Sequence, residues 1–193
     1  MKKILFFSNN NNKIDEVKKL LNRLSIEILC PNDLDILYEP KEVGSSFAEN
    51  AKIKSSFAYQ RSQIPSFADD SGICIEALNW KPGISSRKFL SKFENENECF
   101  KYIFNKVQNT GKNKACFKTS ICLTTKFNFH VVFEGNIKGT ISKCAKGKGG
   151  FGYDPIFIPS GHSQTFAEFS KIKKNNISHR SIAINKLISF LAN

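Results

Sequence analysis

The sequence predicts an α/β protein with a mixed central β-sheet flanked by helices. In the first third of the chain, short apolar segments alternate with segments whose apolar residues recur at helical spacing, as in strand-helix units. Further along, residues 115–125 and 129–137 both alternate apolar and polar side chains around a three-residue connection, which predicts an antiparallel hairpin. A length of 193 residues suffices for a full core and favours one domain, 1–193, with or without two lobes.

The elements of the first half follow from apolar runs and helix signals. Ile14, Val17 and Leu21 share one helical face after a polar loop. Ser46 and Glu49 form a capping box, in which each side chain satisfies the backbone donor of the other. In order, we predict a strand at 3–7, a helix over 14–24, a strand at 26–29, a connector at 31–40, a helix over 46–61 and a strand from 66 into the acidic pair at 69–70.

The second half is predicted in the same way. Cys99, Ile103 and Val107 recur at roughly helical spacing, and the C-terminal residues after Ser178 form an amphipathic pattern. In order, we predict a turn at 80–83, a helix over 94–107, the hairpin, a basic glycine-rich loop at 146–152, a short strand at 156–158 and a final helix after 178.

Composition bounds where the protein acts. The apolar run near the N terminus stops after four residues, which is too short for a signal peptide, and no segment approaches the roughly 18 apolar residues of a membrane span. The six cysteines show no metal-type spacing. We therefore expect reduced thiols, no membrane partner and a cytoplasmic location.

The net charge leaves two interpretations open. Lys and Arg number 29 against 17 Asp and Glu, a formal charge of +12 that is typical of proteins that bind nucleic acid. The abundance of Lys, Asn, Ile and Phe is also what AT-rich codons produce whatever the function.

Two adjacent carboxylates occupy the stretch Phe67–Gly72, where the apolar run is expected to break into a glycine turn at the mouth of the sheet. Side chains alternate in extended backbone, so Asp69 and Asp70 should point in different directions, one toward a metal or a water and one bracing the loop. Glu42 could join Asp70 around a divalent ion. An Asx-type turn is the alternative interpretation.

Three polar segments are candidates for ligand contacts. Residues 8–13 leave a strand and enter a helix, so their backbone N–H groups and Lys13 favour an anion, although an asparagine-rich turn with an N-cap is the simpler explanation of this segment taken alone. In residues 146–155, glycines allow close approach while Phe151 and Tyr153 offer ring faces for a base. His179 and Arg180 place cations at a helix N terminus, where they oppose the helix dipole and so indicate a ligand.

Taken together, these segments resemble the inosine and xanthosine triphosphate pyrophosphatase family, the HAM1-like hydrolases of non-canonical purine nucleoside triphosphates. The motifs occur in the family's order along the whole chain. They are Ser8-x-Asn10-x-x-Lys13-x-x-Glu16, Gly44-x-Ser46-Phe47-x-Glu49-Asn50-Ala51-x-x-Lys54, Ala68-Asp69-Asp70-Ser71-Gly72, Pro82-Gly83, Gly149-Gly150-Phe151-Gly152-Tyr153-Asp154-Pro155-Ile156-Phe157 and Ile177-Ser178-His179-Arg180.

The resemblance implies a two-lobed homodimer that uses Mg²⁺ to cut ITP, dITP or XTP between the α and β phosphates. It makes Asp70 the general base and a metal ligand, whereas Glu42 is a second candidate ligand only from its position in the sequence. Base choice would follow from hydrogen-bond donors, because His179 and Arg180 can donate to the 6-oxo group of hypoxanthine or xanthine. The substrate contacts carried over by position are Ser8, Asn9, Asn10, Asn11, Asn12, Lys13, Lys54, Ser71, Phe151, Gly152, Tyr153, Asp154, Lys174, His179 and Arg180. No specific nucleic acid is expected.

The chain departs from the family pattern at three places. It carries Asn9 and Asn12 where the family often has small or glycine residues, a tolerable change because Asn accepts left-handed backbone. It carries Lys41-Glu42 where the family often has two acidic residues, and Lys88 where the family has an arginine, whose planar fork a lysine cannot reproduce. Two alternatives are a Maf-type pyrophosphatase, against which the His179-Arg180 ending argues, and a basic nucleic-acid-binding protein, which leaves the acidic pair unexplained.

Overall fold

The computed structural model describes residues 2–22 and 24–192, and within them seven strands form one mixed sheet. The strands are β1 (Lys3–Phe6), β2 (Glu27–Leu29), β3 (Ser66–Ile75), β4 (Lys81–Pro82), β5 (Lys114–Lys126), β6 (Phe129–Ile141) and β7 (Phe157–Pro159). The order is β2-β1-β3-β5-β6-β7, with β4 paired to β3. β1 runs parallel to β2 and β3, whereas β4 and β7 are antiparallel to their neighbours β3 and β6, so the predicted mixed sheet is confirmed.

Six α-helices accompany the sheet in the described residues. They are α1 (Asn11–Leu21), α2 (Phe47–Ser62), α3 (Ser86–Leu90), α4 (Glu96–Thr110), α5 (Lys171–Ile177) and α6 (His179–Ala192). None of the helices in this part of the chain combines the length and the apolar character that a membrane crossing requires. The predicted helices and strands are confirmed with shifted ends. The turn predicted at 80–83 is wrong in part, because Lys81–Pro82 form β4, and β4, α3 and α5 are additions that the sequence did not predict.

The chain divides into two compact units, as the two-lobed prediction expects. The first contains Met1–Asp70, Thr119–Gly135 and Arg180–Asn193, and the second contains Ser71–Lys118 and Asn136–His179. The assignment of residues 1–193 to a single domain stays a prediction.

The first unit has a core on each face of its part of the sheet. Phe6 and Phe67 pack with residues of α1 and α6, whereas Leu5 and Ala68, their neighbours along the strands, pack with Ala58 of α2. Apolar side chains on both faces are what a strand buried on both sides requires. This alternation assigns each residue of β3 to one helix layer or the other.

The second unit has its core on one face of the sheet. Ile73 and Ile75 of β3 and Phe117 of β5 pack with Ile103 of α4 and Phe157 of β7. The predicted hairpin is confirmed, since β5 and β6 are joined by two residues and Asn128 adopts a left-handed conformation there (φ 59°).

The expected break of β3 at Asp69–Gly72 is wrong, because the strand continues through these residues to Ile75. Gly72 is needed for a close approach and not for a turn: a Cβ at this position would collide with the carbonyl of Gly83 and the side chain of Ser86. The Ser86 hydroxyl donates to the Gly83 carbonyl at 2.6 Å and accepts from the Ile73 N–H at 2.9 Å. The acidic pair therefore lies within a strand.

The capping prediction for α2 is confirmed at Ser46, whose hydroxyl accepts from the Glu49 N–H at 3.1 Å. The reciprocal half is shifted by one residue, because the Glu49 carboxylate accepts from the N–H and hydroxyl of Ser45 at 2.6 and 2.8 Å. Ser178 lies between α5 and α6 in an extended conformation, and its N–H donates to the Lys174 carbonyl at 2.9 Å, which ends α5.

Candidate active site

Asp69 and Asp70 lie on opposite faces of β3, as the sequence predicted. Asp69 follows Phe67 on the face that packs against α1 and α6, and Asp70 follows Ala68 on the face toward α2. Both carboxylates are buried, with exposed fractions of 1% and 6%. Their surroundings differ because different helices cover the two faces.

Asp69 is surrounded by cations. The Lys13 ammonium lies 3.0 and 3.1 Å from its two carboxylate oxygens, and the Arg180 Nε donates to it at 3.3 Å. Another Arg180 nitrogen, Nη1, pairs with Glu16 of α1. Burial alone would raise the pKa of Asp69, but Lys13 and Arg180 outweigh it and hold the pKa well below its usual range. Asp69 is therefore ionised at any working pH, and its role is to hold two cations in place.

Lys13 is the one cation of this cluster with a partly exposed side chain. Its side chain keeps 17% of its surface exposed, whereas that of Arg180 keeps 2%. Burial lowers the pKa of Lys13 and the Asp69 charge opposes the shift, with a net lowering. Lys13 can therefore offer a point charge to an anion, while the Arg180 guanidinium is held by two carboxylates.

The buried carboxylate of Asp70 has polar neighbours whose effects on its pKa only partly offset the effect of burial. The Asn50 side-chain amide donates to its carboxylate at 3.0 Å, and the Asn50 carbonyl oxygen accepts from the Gly44 N–H at 2.8 Å. Thr119 on β5 donates to the backbone carbonyl of Asp70 at 3.2 Å. Burial raises the pKa of Asp70 more than Lys54 and Asn50 lower it, so this carboxyl is a stronger base than an exposed aspartate.

Lys54 and Glu42 form an ion pair beside Asp70, with 2.8 Å between the ammonium and the carboxylate. Burial would lower the pKa of Lys54, but Asp69, Asp70 and Glu42 together raise it, so the amine stays charged. The Glu42 charge also raises the pKa of Asp70. The two carboxylates are therefore close enough to interact.

The donor set at Asp70 fits Mg²⁺ better than a metal that needs a complete protein cage. Within residues 2–22 and 24–192, no group of three or more His, Cys, Asp or Glu side chains could hold a metal ion by itself. Mg²⁺ is commonly bound through one or two carboxylates, with the remaining positions taken by water and substrate phosphates. Asp70 and Glu42 are the two carboxylates that could supply such ligands at this position.

The loop before α1 contains the N-cap of the alternative interpretation. The Asn10 side chain accepts from the Lys13 N–H at 3.2 Å, and the Ser8 hydroxyl accepts from the Asn10 N–H at 3.3 Å. Asn9, Asn11 and Asn12 are exposed. The N-cap is compatible with anion binding. It orders the loop, and the other backbone N–H groups at the start of the helix can still donate to an anion.

In the second unit, Asp154 organises the glycine-rich loop. Its carboxylate accepts from the Phe151 N–H at 2.8 Å and from the Lys174 ammonium at 2.6 Å. Gly150 needs its left-handed conformation (φ 71°), and a Cβ there would collide with Asp154. The Lys174 ammonium lies 4.8 Å from the centre of the Phe151 ring. Phe151, Asp154 and Lys174 thus form one cluster.

Tyr153, predicted to offer a ring face, lies instead in the core of the second unit. It is 5% exposed, and its hydroxyl donates to the Ser86 carbonyl at 2.8 Å. Burial, assisted by Cys99, raises its pKa far above the usual value. Phe151 is partly exposed and Gly152 is left-handed (φ 62°), so the two loop residues before Tyr153 remain suited to a ligand.

His179 is buried against an aromatic ring. Its imidazole stacks on Phe117 with 4.7 Å between ring centres and 7° between the planes. The stacking on Phe117 fixes the plane of the imidazole, which determines where its ring nitrogens can donate.

Ser71, another predicted substrate contact, is partly exposed on β3.

Sequence reasoning missed the roles of Glu16, Asn50, Thr119 and Phe117. Two of them left a signal, because Glu16 lies one helical turn after Lys13 and Asn50 directly follows Glu49 within the matched motifs. Thr119 and Phe117 left none, since each acts through a strand pairing or a ring contact that only the folded chain brings about.

Comparisons with known proteins agree along the whole chain. The sequence profile of the Ham1 family matches residues 4–190. The chain is 36% identical over 192 residues to a dITP/XTP pyrophosphatase of Porphyromonas gingivalis, covering 99% of this chain and 98% of the relative. It is 38% identical over 186 residues to a dITP/XTP pyrophosphatase of Leptospira interrogans, covering 95% and 94%.

Solved structures agree with the sequence relatives. A HAM1 protein from Coxiella burnetii has a TM-score of 0.89 and 33% identity, with 100% of this chain and 99% of that chain covered. The Ham1 protein of Staphylococcus aureus has a TM-score of 0.87 and 35% identity, with 99% and 98% covered.

Proposed function

Because this chain belongs to the Ham1 family, we propose that it is a nucleoside triphosphate pyrophosphatase that acts on dITP, ITP and XTP. Membership in the family confirms the resemblance predicted from the ordered motifs. The observation that carries the proposal is the contrast within the acidic pair: Asp69 is neutralised by two cations, whereas Asp70 keeps a raised pKa beside Lys54 and Glu42. In such a pair, Asp69 has a structural role and Asp70 is the carboxylate that takes part in the reaction.

Asp70 is the proposed general base. Its ionised carboxylate accepts a proton from the water that attacks phosphorus. The Asn50 amide holds the carboxylate oxygen in place. The bond that breaks joins the α and β phosphates, so the products are a nucleoside monophosphate and pyrophosphate.

Mg²⁺ is the proposed cofactor, held by Asp70 and Glu42, and when bound it neutralises phosphate oxygens and orients the reacting groups. The chain supplies the remaining positive charge. Lys13 and Lys54 are the proposed phosphate contacts, and the backbone of residues 8–12 provides N–H donors at the start of α1. Their positions beside Asp69 and Glu42 keep both ammonium groups oriented.

Residues of the second unit are the proposed contacts for the purine base. Phe151 can stack on a ring, and the Asp154–Lys174 pair and His179 supply polar groups. A donor from His179 favours the 6-oxo group of hypoxanthine or xanthine, because the amino group of adenine would place donor against donor. We assign Arg180 to bracing Asp69 and Glu16, which revises the expectation that it donates to the base.

Pyrophosphate release from ITP, XTP, GTP and ATP with Mg²⁺ tests this proposal. We expect turnover of ITP and XTP to exceed that of ATP and GTP, and the Asp70→Asn variant to lose at least about 100-fold in kcat. Equal turnover of all four substrates would remove the selectivity argument for His179. Turnover of none would overturn the proposed function and restore the nucleic-acid-binding alternative.

We also propose that the protein is a cytoplasmic homodimer with no specific nucleic-acid partner. The free state of all six cysteines supports a reducing compartment. Sedimentation equilibrium at twice the 21.8 kDa of one chain is the result expected of the dimer.

A further inference from the structure

Two cysteines of the second unit lie side by side on neighbouring strands. Cys74 is on β3 and Cys116 is on β5, which are adjacent in the sheet, and each thiol is close enough to change the pKa of the other. The reaction proposed above uses neither residue. Three of the other cysteines have different surroundings: Tyr153 influences the pKa of Cys99, Ser55 and Thr124 influence the pKa of Cys122, and Cys144 is exposed.

Both thiols lie on the sheet face opposite the core of the second unit. The chain neighbours of Cys74 and of Cys116 point into that core, so alternation directs both thiols the other way. Each cysteine is 7% exposed. Lys118 shares this face with Cys116 and is exposed, which makes the surroundings electropositive.

We propose that Cys74 and Cys116 form a modification site, at which a two-electron oxidant such as a peroxide closes a reversible disulfide between β3 and β5. Residues that face each other across paired strands have Cβ atoms about 4.5–5.5 Å apart, and a disulfide needs about 3.5–4.5 Å. A small approach of the two strands is therefore sufficient.

The chemistry is divided between the two sulfurs. Cys74 lowers the pKa of Cys116 against the effect of burial, with help from Lys118 and Lys138, whereas Cys74 has a raised pKa. The Cys116 thiolate attacks one oxygen of hydrogen peroxide, and hydroxide leaves and takes up the thiol proton to give water. The Cys74 sulfur then displaces water from the resulting sulfenic acid. Two thiols and one peroxide thus give one disulfide and two waters.

Thiol counting on the full-length protein tests the site without reference to turnover. The protein is treated with hydrogen peroxide, unfolded, alkylated with iodoacetamide and analysed by intact mass and peptide mapping. We expect the thiols of Cys74 and Cys116 to be lost together, a Cys74–Cys116 cross-linked peptide to appear, and dithiothreitol to restore both thiols.

Two variants separate the pair from general oxidation. Cys144→Ser removes the exposed thiol and should leave the cross-link intact, whereas Cys74→Ser should abolish it. A cross-link between other cysteines, a Cys116 oxidised to sulfinic acid while Cys74 stays alkylatable, or full alkylation of both under peroxide that oxidises Cys144 would each overturn the proposal. The wild-type peptide map decides these cases even if Cys74→Ser does not fold.

Discussion

At the scale of single residues, the two neighbouring aspartates have opposite properties because the strand alternates. Asp69 faces Lys13 and Arg180, which depress its pKa, and Asp70 faces Asn50 in a buried site that raises its pKa. The sequence predicted that the two would differ, since alternation is a local property. It could not predict which one meets the cations, because that depends on which helices cover each face.

Asn50 holds the proposed base, and its replacement tests that contact. The Asn50 amide favours the ionised form of Asp70, so Asn50→Ala should raise the pKa of Asp70 further. Because the base must be ionised to accept a proton, we expect the acidic limb of the kcat/KM profile to move to higher pH. Ser46→Ala, which removes the cap of the same helix, should cost about 1 kcal/mol in stability and leave the limb in place. If the acidic limb of the kcat/KM profile stays in place in Asn50→Ala, Asn50 does not influence the pKa of the catalytic base.

At the scale of elements, Arg180 connects three of them. It lies at the start of α6 and pairs with Glu16 of α1 and with Asp69 of β3. Sequence reasoning treated it as a ligand contact because a cation at a helix N terminus opposes the dipole. The structure gives another reason for the cation, since the two carboxylates it meets outweigh that repulsion.

Arg180→Met tests whether Arg180 stabilises the fold by pairing with Asp69 and Glu16. Removing the guanidinium leaves two carboxylates without it in a buried site, so we expect a loss of about 3–5 kcal/mol in the free energy of unfolding, measured in urea. Arg61→Met, an exposed arginine on α2, should change it by less than about 1 kcal/mol. Unchanged stability together with a lost preference for ITP over ATP would assign Arg180 to the base instead.

Gly72 is required by packing of β3 against the segment that contains Gly83 and Ser86. A methyl group in Gly72→Ala would force those backbone atoms apart, and we expect destabilisation at the upper end of about 1–3 kcal/mol. The added methyl group in Gly111→Ala has open space, so its only cost is the left-handed backbone conformation at the end of α4. We expect this substitution to destabilise the fold by about 1 kcal/mol. Thermal unfolding compares the two, and equal losses would mean that the chain near Gly72 yields easily.

Elements with strong periodicity could be predicted and those shaped by tertiary contacts could not. The hairpin and helices α1, α2 and α4 follow from alternation, spacing and caps. Helix α5 contains only two apolar residues among lysines and asparagines, so nothing in its pattern predicts that Lys174 is buried against Asp154. The continuity of β3 depends on a close approach that a glycine in the sequence does not distinguish from a turn.

At the scale of the whole molecule, the acidic pair links stability to pH in two directions. Asp69 has a depressed pKa in the folded state, so its contribution is present above the unfolded value of about 3.9 and is lost as the pH falls toward the folded value. Asp70 has a raised pKa, so its contribution is present below about 3.9 and is lost as the pH rises through the folded value. At neutral pH, the depressed pKa of Asp69 therefore stabilises the fold, whereas the raised pKa of Asp70 does not.

Acid titration of unfolding tests this linkage. Because Asp69→Asn lacks the carboxylate that the cations stabilise, we expect a smaller decrease in its free energy of unfolding between pH 5 and pH 2, conditions chosen to span the unfolded value of about 3.9. An unchanged decrease would mean that the Asp69 cluster does not contribute to acid stability.

The most direct measurement compares Asp69→Asn with Asp70→Asn at pH 7, recording pyrophosphate release from ITP and the melting temperature of each. These adjacent, isosteric changes differ only in the face of β3 on which they lie. We predict that Asp70→Asn loses at least about 100-fold in kcat with an unchanged or higher melting temperature. We predict that Asp69→Asn loses about 3–5 kcal/mol of stability. Turnover retained by Asp70→Asn, or a fold more damaged by that change than by Asp69→Asn, would contradict the division of roles.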